Sequence, residues 1–317
     1  MGNGKNTVLI VGATGTVGRE AVAATLKQGG QVRALVRSTA SAAQLPEGVE
    51  PILGDLREER AVTRALSGVT AALYVSPHEQ DEVQLAQRFI SACEAAQARL
   101  VFVGVHIDGK SKWRRALSRF VYGRLLSHYR PKFELSERAR ASATSPIILM
   151  PTNFFQNDEL FREEITSGYY PTNFAHPINR VDVRDLGLAI ARALLDDTLA
   201  SGAYPVVGPS SLCGDDCAAL WTAALSCKVR CEHDLARAIA TFGQKLQSKK
   251  REDFIKTFEV LQKFAIPTNP EELEATHRLI GQAPTSYDNY VRQTAARWTD
   301  YAQQPLAADT RVQMSSR

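Results

Sequence analysis

The sequence predicts an α/β protein: a doubly wound parallel sheet followed by a smaller, mainly helical C-terminal lobe. Short aliphatic or β-branched runs alternate with helical patterns through residue 105. A glycine-rich turn at 12–18 joins the first such run to the first helix. Beyond Pro151 the alternation loosens and helical spacing dominates.

Residues 7–11 (Thr-Val-Leu-Ile-Val) are short and apolar throughout, as a strand covered on both faces requires. Val17, Ala21, Val22, Thr25 and Leu26 recur at helical spacing until Gly29-Gly30 stops the helix. Strands are expected at 32–36 and around Ile52-Leu53, then a helix through Ala61, Val62, Ala65 and Leu66 that ends at Gly68. A strand at 71–75, a helix at 85–93 with Leu85, Ala86, Phe89 and Ile90 inward, and a strand at 100–105 continue the pattern through right-handed crossovers. A polar helix at about 133–142 and a strand at 147–149 complete a first domain, 1–150. Residues 151–302 are expected to form a substrate lobe interleaved with the final strands of the sheet. Its elements are a helix at 183–195, a short strand at 204–207, and helices around Trp221, around Phe258 and over 287–301. The polar tail, 303–317, is expected to fray.

Hydrophobic residues make up 44% of the 317 and charged ones 23%, which excludes a globally disordered chain. No apolar run approaches the roughly 18 residues of a membrane span. The first residues carry neither a signal-type stretch nor the Ser/Thr at position 6 of a myristoylation signal. Five cysteines, an odd count, argue against a disulfide scaffold. The expectation is a cytoplasmic protein with no membrane partner. Net charge is +4, yet 110–140 holds ten Lys and Arg against two Glu, so the rest is net acidic. One basic segment is not the broad stripe of a nucleic-acid binder, and no such partner is expected. It reads as a solvated helix face or as a feature facing an anionic ligand.

Gly12-Ala-Thr-Gly15-Thr-Val-Gly18, between a buried strand and a helix, has the setting of a dinucleotide-binding turn. One glycine makes the sharp turn, one admits the pyrophosphate and one lets the helix pack on the strand. Helix-start N–H groups and the helix dipole favour the phosphates, so Gly12, Thr14, Gly15, Thr16, Val17 and Gly18 are candidate cofactor residues. The ribose-binding acid usual at the end of the second strand is absent; Arg37 followed by Ser38 stands there. A guanidinium suits a 2′-phosphate that a carboxylate would repel, which selects NADP(H). Arg33, earlier in the strand, is a candidate helper for Arg37, although strand alternation sets it away from the site.

With Val32-Arg-Ala-Leu-Val-Arg37, Gly54-Asp55-Leu56, Ala72-Leu-Tyr-Val-Ser-Pro77, Met150-Pro-Thr-Asn-Phe154 and Val181-Asp-Val-Arg-Asp185, the chain resembles the NmrA-like branch of the atypical short-chain dehydrogenases/reductases over residues 7–208. The resemblance implies a Rossmann fold with the adenine near Asp55 and Leu56. It also implies the cofactor's middle along Val75, Ser76 and Pro77, and the nicotinamide near Pro151, Asn153 and Phe154. Asp55 is alternatively a cap of the following helix.

Hydride transfer asks the protein for alignment plus a proton donor or a charge stabiliser. The Ser with Tyr-x-x-x-Lys of typical short-chain dehydrogenases is missing: the fifth strand ends in Gly104-Val105-His106, and Tyr129 lies three residues before Lys132. Lys132 resembles the lysine that reductive family members keep near the ribose and substrate; otherwise it is a surface lysine. His106, just past the fifth strand, is a candidate proton donor or a hydrogen-bonded structural residue. Tyr122 and Tyr129 are weaker donor candidates. In 107–131, Trp113, Leu117, Phe120, Val121 and Leu125 form an apolar stripe among Arg114, Arg115, Arg119 and Arg124, either a lid or a packed helix. Phe154, Phe155, Tyr169 and Tyr170 are an expected aromatic wall for a planar substrate, or core.

Cys213-x3-Cys217 and Cys227-x3-Cys231 with His233 invite a four-thiolate zinc reading, but the usual spacing is two residues and Cys217 falls in a helix-forming stretch, so no metal is expected. Neither His-Glu-x-x-His nor Gly-x-Ser-x-Gly occurs. The expected activity is NADPH-dependent hydride transfer to a small carbonyl, quinone or imine compound, aromatic or not. The rival is a non-catalytic NADP(H) sensor that binds a protein partner.

Overall fold

The computed structural model describes residues 7–76, 81–106, 124, 130–172, 174–246 and 248–303. Seven strands form one parallel sheet: β1 (Thr7–Val11), β2 (Gln31–Val36), β3 (Val49–Leu53), β4 (Ala71–Val75), β5 (Arg99–Val103), β6 (Ile147–Pro151) and β10 (Gly202–Val206). Their order is β10-β6-β5-β4-β1-β2-β3. The direction of winding reverses between β1 and β4, so a crevice opens at the carboxyl ends of those two strands.

Strand alternation sorts the core into two layers. Val8 and Ile10 of β1 pack with α1 (Thr16–Lys27) and with α7 (Val183–Leu195), through Val17, Ala21, Leu186 and Ile190. Leu9 and Val11 face α3 (Glu59–Leu66), α4 (Glu82–Ala96) and α5 (Arg130–Arg140), through Ala65, Phe89 and Leu135. Both faces being covered, the strands read as unbroken apolar runs. The fifth strand stops at Val103, short of the expected 105, although the Gly104 N–H still donates to Leu149 O at 2.8 Å.

The lobe holds a third core around Trp221, Phe242, Tyr287 and Tyr290. It is built from α6 (Arg162–Thr166), α8 (Gly214–Leu225), α9 (Leu235–Lys245), α10 (Ser248–Leu261), α11 (Pro270–Ile280) and α12 (Tyr287–Gln303), with a short α2 (Thr39–Ala42) back in the first half. Two-residue strands β7 (Asn153–Phe154), β8 (Tyr169–Tyr170), β11 (Ser211–Leu212) and β12 (Arg230–Cys231), with the four-residue β9 (Ile178–Val181), make two small sheets. α11 returns to the main sheet: Thr276 Oγ1 accepts from Val207 N at 3.1 Å and shares its proton between Glu272 O at 2.9 Å and Pro205 O at 3.1 Å. Among the described residues no helix is long and apolar enough to cross a membrane.

α7 is tied to α12 by Asp185, whose carboxylate accepts from Thr285 N at 2.7 Å and Thr285 Oγ1 at 3.1 Å. Burial raises its pKa to about 6, partly offset by those bonds. The unfolded chain therefore ionises first as pH rises from 4 to 6, and folding stability falls across that window by about 3 kcal/mol. Asp185→Asn, which keeps an acceptor for Thr285, is expected to flatten stability between pH 4 and 7 in urea titrations. An unchanged pH slope refutes this role.

Candidate functional site

The turn after β1 is shaped by what its glycines lack. Gly12 sits at φ +74°, left-handed backbone that side chains rarely adopt. A Cβ on Gly18 would lie 2.0 Å from Gly12 O, so α1 can start this close to the strand only with glycine there. Gly15 N donates back to Gly12 O at 2.9 Å and Gly15 caps α1 without a side chain; the first turn of α1 contains no acid. That leaves a helix start compatible with phosphate.

A cavity of about 1120 Å³ opens from this turn along the carboxyl ends of the strands. It exceeds the roughly 300–1,000 Å³ of an ordinary small-ligand site, room for more than one ligand. Gly12, Thr14, Gly15, Thr16, Val17, Gly18, Arg37, Asp55, Leu56, Val75, Ser76, Lys132, Pro151, Asn153, Phe154 and His106 all line it. Pro77, Tyr122, Tyr129 and the apolar stripe with its arginines, Arg124 apart, lie outside the described residues.

Arg37 follows the end of β2, and Ser38 behind it caps α2 by accepting from Ser41 N at 3.1 Å. Arg33 is engaged elsewhere: it pairs with Glu50 at 2.9 Å and donates to Ala65 O and Ser67 O. Asp55 does not cap α3, whose first flanking residue is Glu58; its Oδ1 instead accepts from Arg57 N at 2.8 Å, fixing the turn after β3. Ser76 Oγ donates to the buried Glu82 at 3.2 Å.

His106 and Glu272 meet across the cavity wall, Nε2 to Oε2 at 2.9 Å, each side chain only 16% exposed. Glu272 escaped the sequence reading. Asn269-Pro270 signals the start of α11, and Asn269 does accept from Glu271 N, but nothing local links that helix to a residue 166 positions earlier.

The expected aromatic wall is partly wrong. Phe155 and Tyr170 are 2% and 0% exposed in the lobe core, and Tyr169 lies beside Arg237, away from the cavity. Phe154 does line the cavity, joined by Leu160, Phe174, Phe254, Phe258, Leu261 and Ile266. Thr172 lies among them with a buried hydroxyl that has no hydrogen-bond partner among the described residues.

This wall hangs on a buried ion pair. Arg180 and Asp158 lie 2.7 Å apart, and Arg180 also donates to Phe154 O at 2.9 Å and Phe155 O at 3.2 Å. Tyr170, Tyr287 and Trp221 Nε1 donate to the same Asp158 carboxylate. Burial holds both phenols well above their ordinary pKa, so they stay protonated donors.

The profile of the NmrA-like family matches residues 4–291. The chain belongs to that family. It is 30% identical over 226 residues to an NAD(P)H azoreductase of Xenophilus azovorans, covering 70% of this chain and 75% of that one. Its fold matches the triphenylmethane reductase of Citrobacter sp., solved with NADP(H): TM-score 0.74, 18% identity, 91% of this chain and 99% of that one. It matches equally NmrA, a negative transcriptional regulator solved with NADP: TM-score 0.73, 16% identity, 95% and 98%.

Gly18→Ala forces backbone against backbone. It is expected to lower stability by about 3 kcal/mol, read in urea titrations. Gly68→Ala strains a positive φ in open space, far from α1, and is the milder control. Equal losses in the two variants would show that the contact with Gly12 O is not limiting.

Proposed function

We propose that this chain is an NADPH-dependent oxidoreductase that reduces a small aromatic carbonyl, quinone or imine compound. The observation carrying this reading is one cavity that joins the glycine turn and Arg37 to an aromatic chamber, with His106 and Lys132 on its wall. The dinucleotide fits the residues present: a tight turn, an uncapped helix start without acids, and an arginine where a carboxylate would repel a 2′-phosphate. When bound, reduced nicotinamide supplies the hydride.

The chain's own residues supply the rest. Gly12 to Gly18 would hold the pyrophosphate, Arg37 the 2′-phosphate, Asp55 and Leu56 the adenine, and Pro151 to Phe154 the nicotinamide end. His106 Nε2 faces a carboxylate, which only accepts, so Nε2 carries a proton and Nδ1 is the nitrogen left to serve a substrate; Nδ1 donates only when the ring holds a second proton, taken up from solvent. Glu272 orients the ring for that task as a positioning residue. Lys132 stabilises negative charge on the reduced substrate. Kinship with an azoreductase adds azo compounds to the substrates worth assay. The sensor reading needs only the nucleotide half and gives the aromatic chamber and the His106–Glu272 pair no role.

Steady oxidation of NADPH with a panel of quinones, aromatic imines, carbonyls and azo dyes tests this. Tight nucleotide binding without turnover on any acceptor would favour the sensor. Arg37→Gln is expected to weaken NADPH binding about 10–100-fold by calorimetry and to change NADH binding little. Equal losses for both nucleotides would remove the 2′-phosphate assignment. His106→Gln is expected to lower kcat roughly 100-fold and Glu272→Gln roughly tenfold, with NADPH affinity retained. Unchanged kcat in His106→Gln would remove the proton-donor assignment.

A further inference from the structure

Four of the five cysteines fall between 213 and 231, and the nucleotide cavity uses none of them. The fold separates them. Cys217 is buried at the Arg180 ion pair, with Arg180 Nη1 4.0 Å from its sulfur. Cys227 is exposed, and Cys213 caps α8, its thiol donating to Asp216 at 3.1 Å. Cys231, at the end of β12, instead meets residues of a different kind. Its sulfur, an oxygen of Asp215 and a ring nitrogen of His233 all lie within 4.8 Å of one another.

We propose that Asp215, Cys231 and His233 form a surface site for a borderline-soft divalent cation of the zinc type. The donor set is thiolate, imidazole and carboxylate, the combination that selects such ions over calcium or magnesium. Metal–ligand bonds of about 2.0–2.3 Å in a tetrahedron place neighbouring donors about 3.3–3.7 Å apart. Asp215 and His233 are already at 3.2 Å, so closure asks that the thiol move by about an ångström and release its proton to solvent, against a burial that pushes its pKa up to about 12 in the metal-free site. The scaffold is firm where it matters: Thr222 Oγ1 of α8 accepts from Val229 N at 3.0 Å, and β12 pairs with β8. The α8 dipole opposes a cation at this end. Asp215 and Asp216 in the first turn offset it. Asp215 and His233 are both about two-thirds exposed, so an ion enters from solvent without unfolding. Three protein donors leave the fourth position to water, and the ion staples the start of α8 to β12.

Titration of untagged, reduced, chelator-stripped full-length protein with Co2+ tests the site, because thiolate bound to tetrahedral cobalt gives an intense sulfur-to-metal charge-transfer absorption. One equivalent is expected to develop that band, and Zn2+ to abolish it by displacement. Cys231→Ser is expected to remove the band. His233→Ala, at an exposed position that leaves folding intact, is expected to weaken binding at least tenfold; Cys227→Ser is expected to change neither. Zn2+ is expected to raise the Tm of the unaltered chain and not that of His233→Ala. The absence of the band, its survival in Cys231→Ser, or its loss in Cys227→Ser with retention in Cys231→Ser overturns the proposal.

Discussion

Arg180 is a charge that the lobe cannot bury alone. At 2% exposure its guanidinium is out of water, and only Asp158, at 2.7 Å and fully buried, makes that tolerable. Two phenols and an indole N–H then saturate the carboxylate, each needing burial and each contributing a ring to the lobe core. Losing one member of such a buried pair costs about 3–5 kcal/mol, because the other remains charged without a partner. The same guanidinium holds the carbonyls of Phe154 and Phe155, so the packing of the lobe is transmitted directly to the cavity wall.

The tie is doubled at the next residue. Gln156, on the cavity wall, donates to Asp182 at 2.8 Å and accepts from Val183 N at 3.0 Å, locking this segment to the start of α7. α7 in turn packs so closely on α1 that a Cβ at Gly187 would lie 2.7 Å from Glu20 O. A continuous chain of contacts thus runs from the lobe core through the cavity wall to the helix behind the glycine turn. The proposed reaction, which aligns two ligands to within a fraction of an ångström, requires that rigidity.

What the sequence revealed follows the reach of each interaction. Parallel strands covered on both faces announce themselves as apolar runs, and the glycine turn is legible because its constraints involve residues at most six positions apart. Arg37 was visible for the same reason: it directly follows β2. Aromatic neighbours such as Phe154-Phe155 or Tyr169-Tyr170 do not say which ring faces a ligand and which a core, since two-residue strands give alternation nothing to repeat. α9 and α11 carry short apolar stripes, Leu235, Ala238, Ile239 and Phe242 in one and Leu273, Leu279 and Ile280 in the other, which the expected helices of the lobe did not include. The His106–Glu272 pair and the convergence of Asp215 with Cys231 and His233 join separate segments, which no local pattern encodes.

The division between legible and illegible has a functional consequence. The nucleotide half is built from backbone: a turn, a helix start and strand ends that few sequences can form. The aromatic chamber is built from side chains contributed by the segment after β6, by Thr172 and Phe174, and by α10 and the residues that follow it. Outside the anchored Phe154–Gln156 segment, its side chains can change with little effect on the sheet. The exception is Glu272. Its helix, α11, is pinned to β10 by Thr276 through Pro205 O and Val207 N, so the carboxylate that meets His106 is positioned by the sheet and not by the chamber. The proposed proton donor and its orienting partner therefore keep their geometry whatever side chains line the chamber.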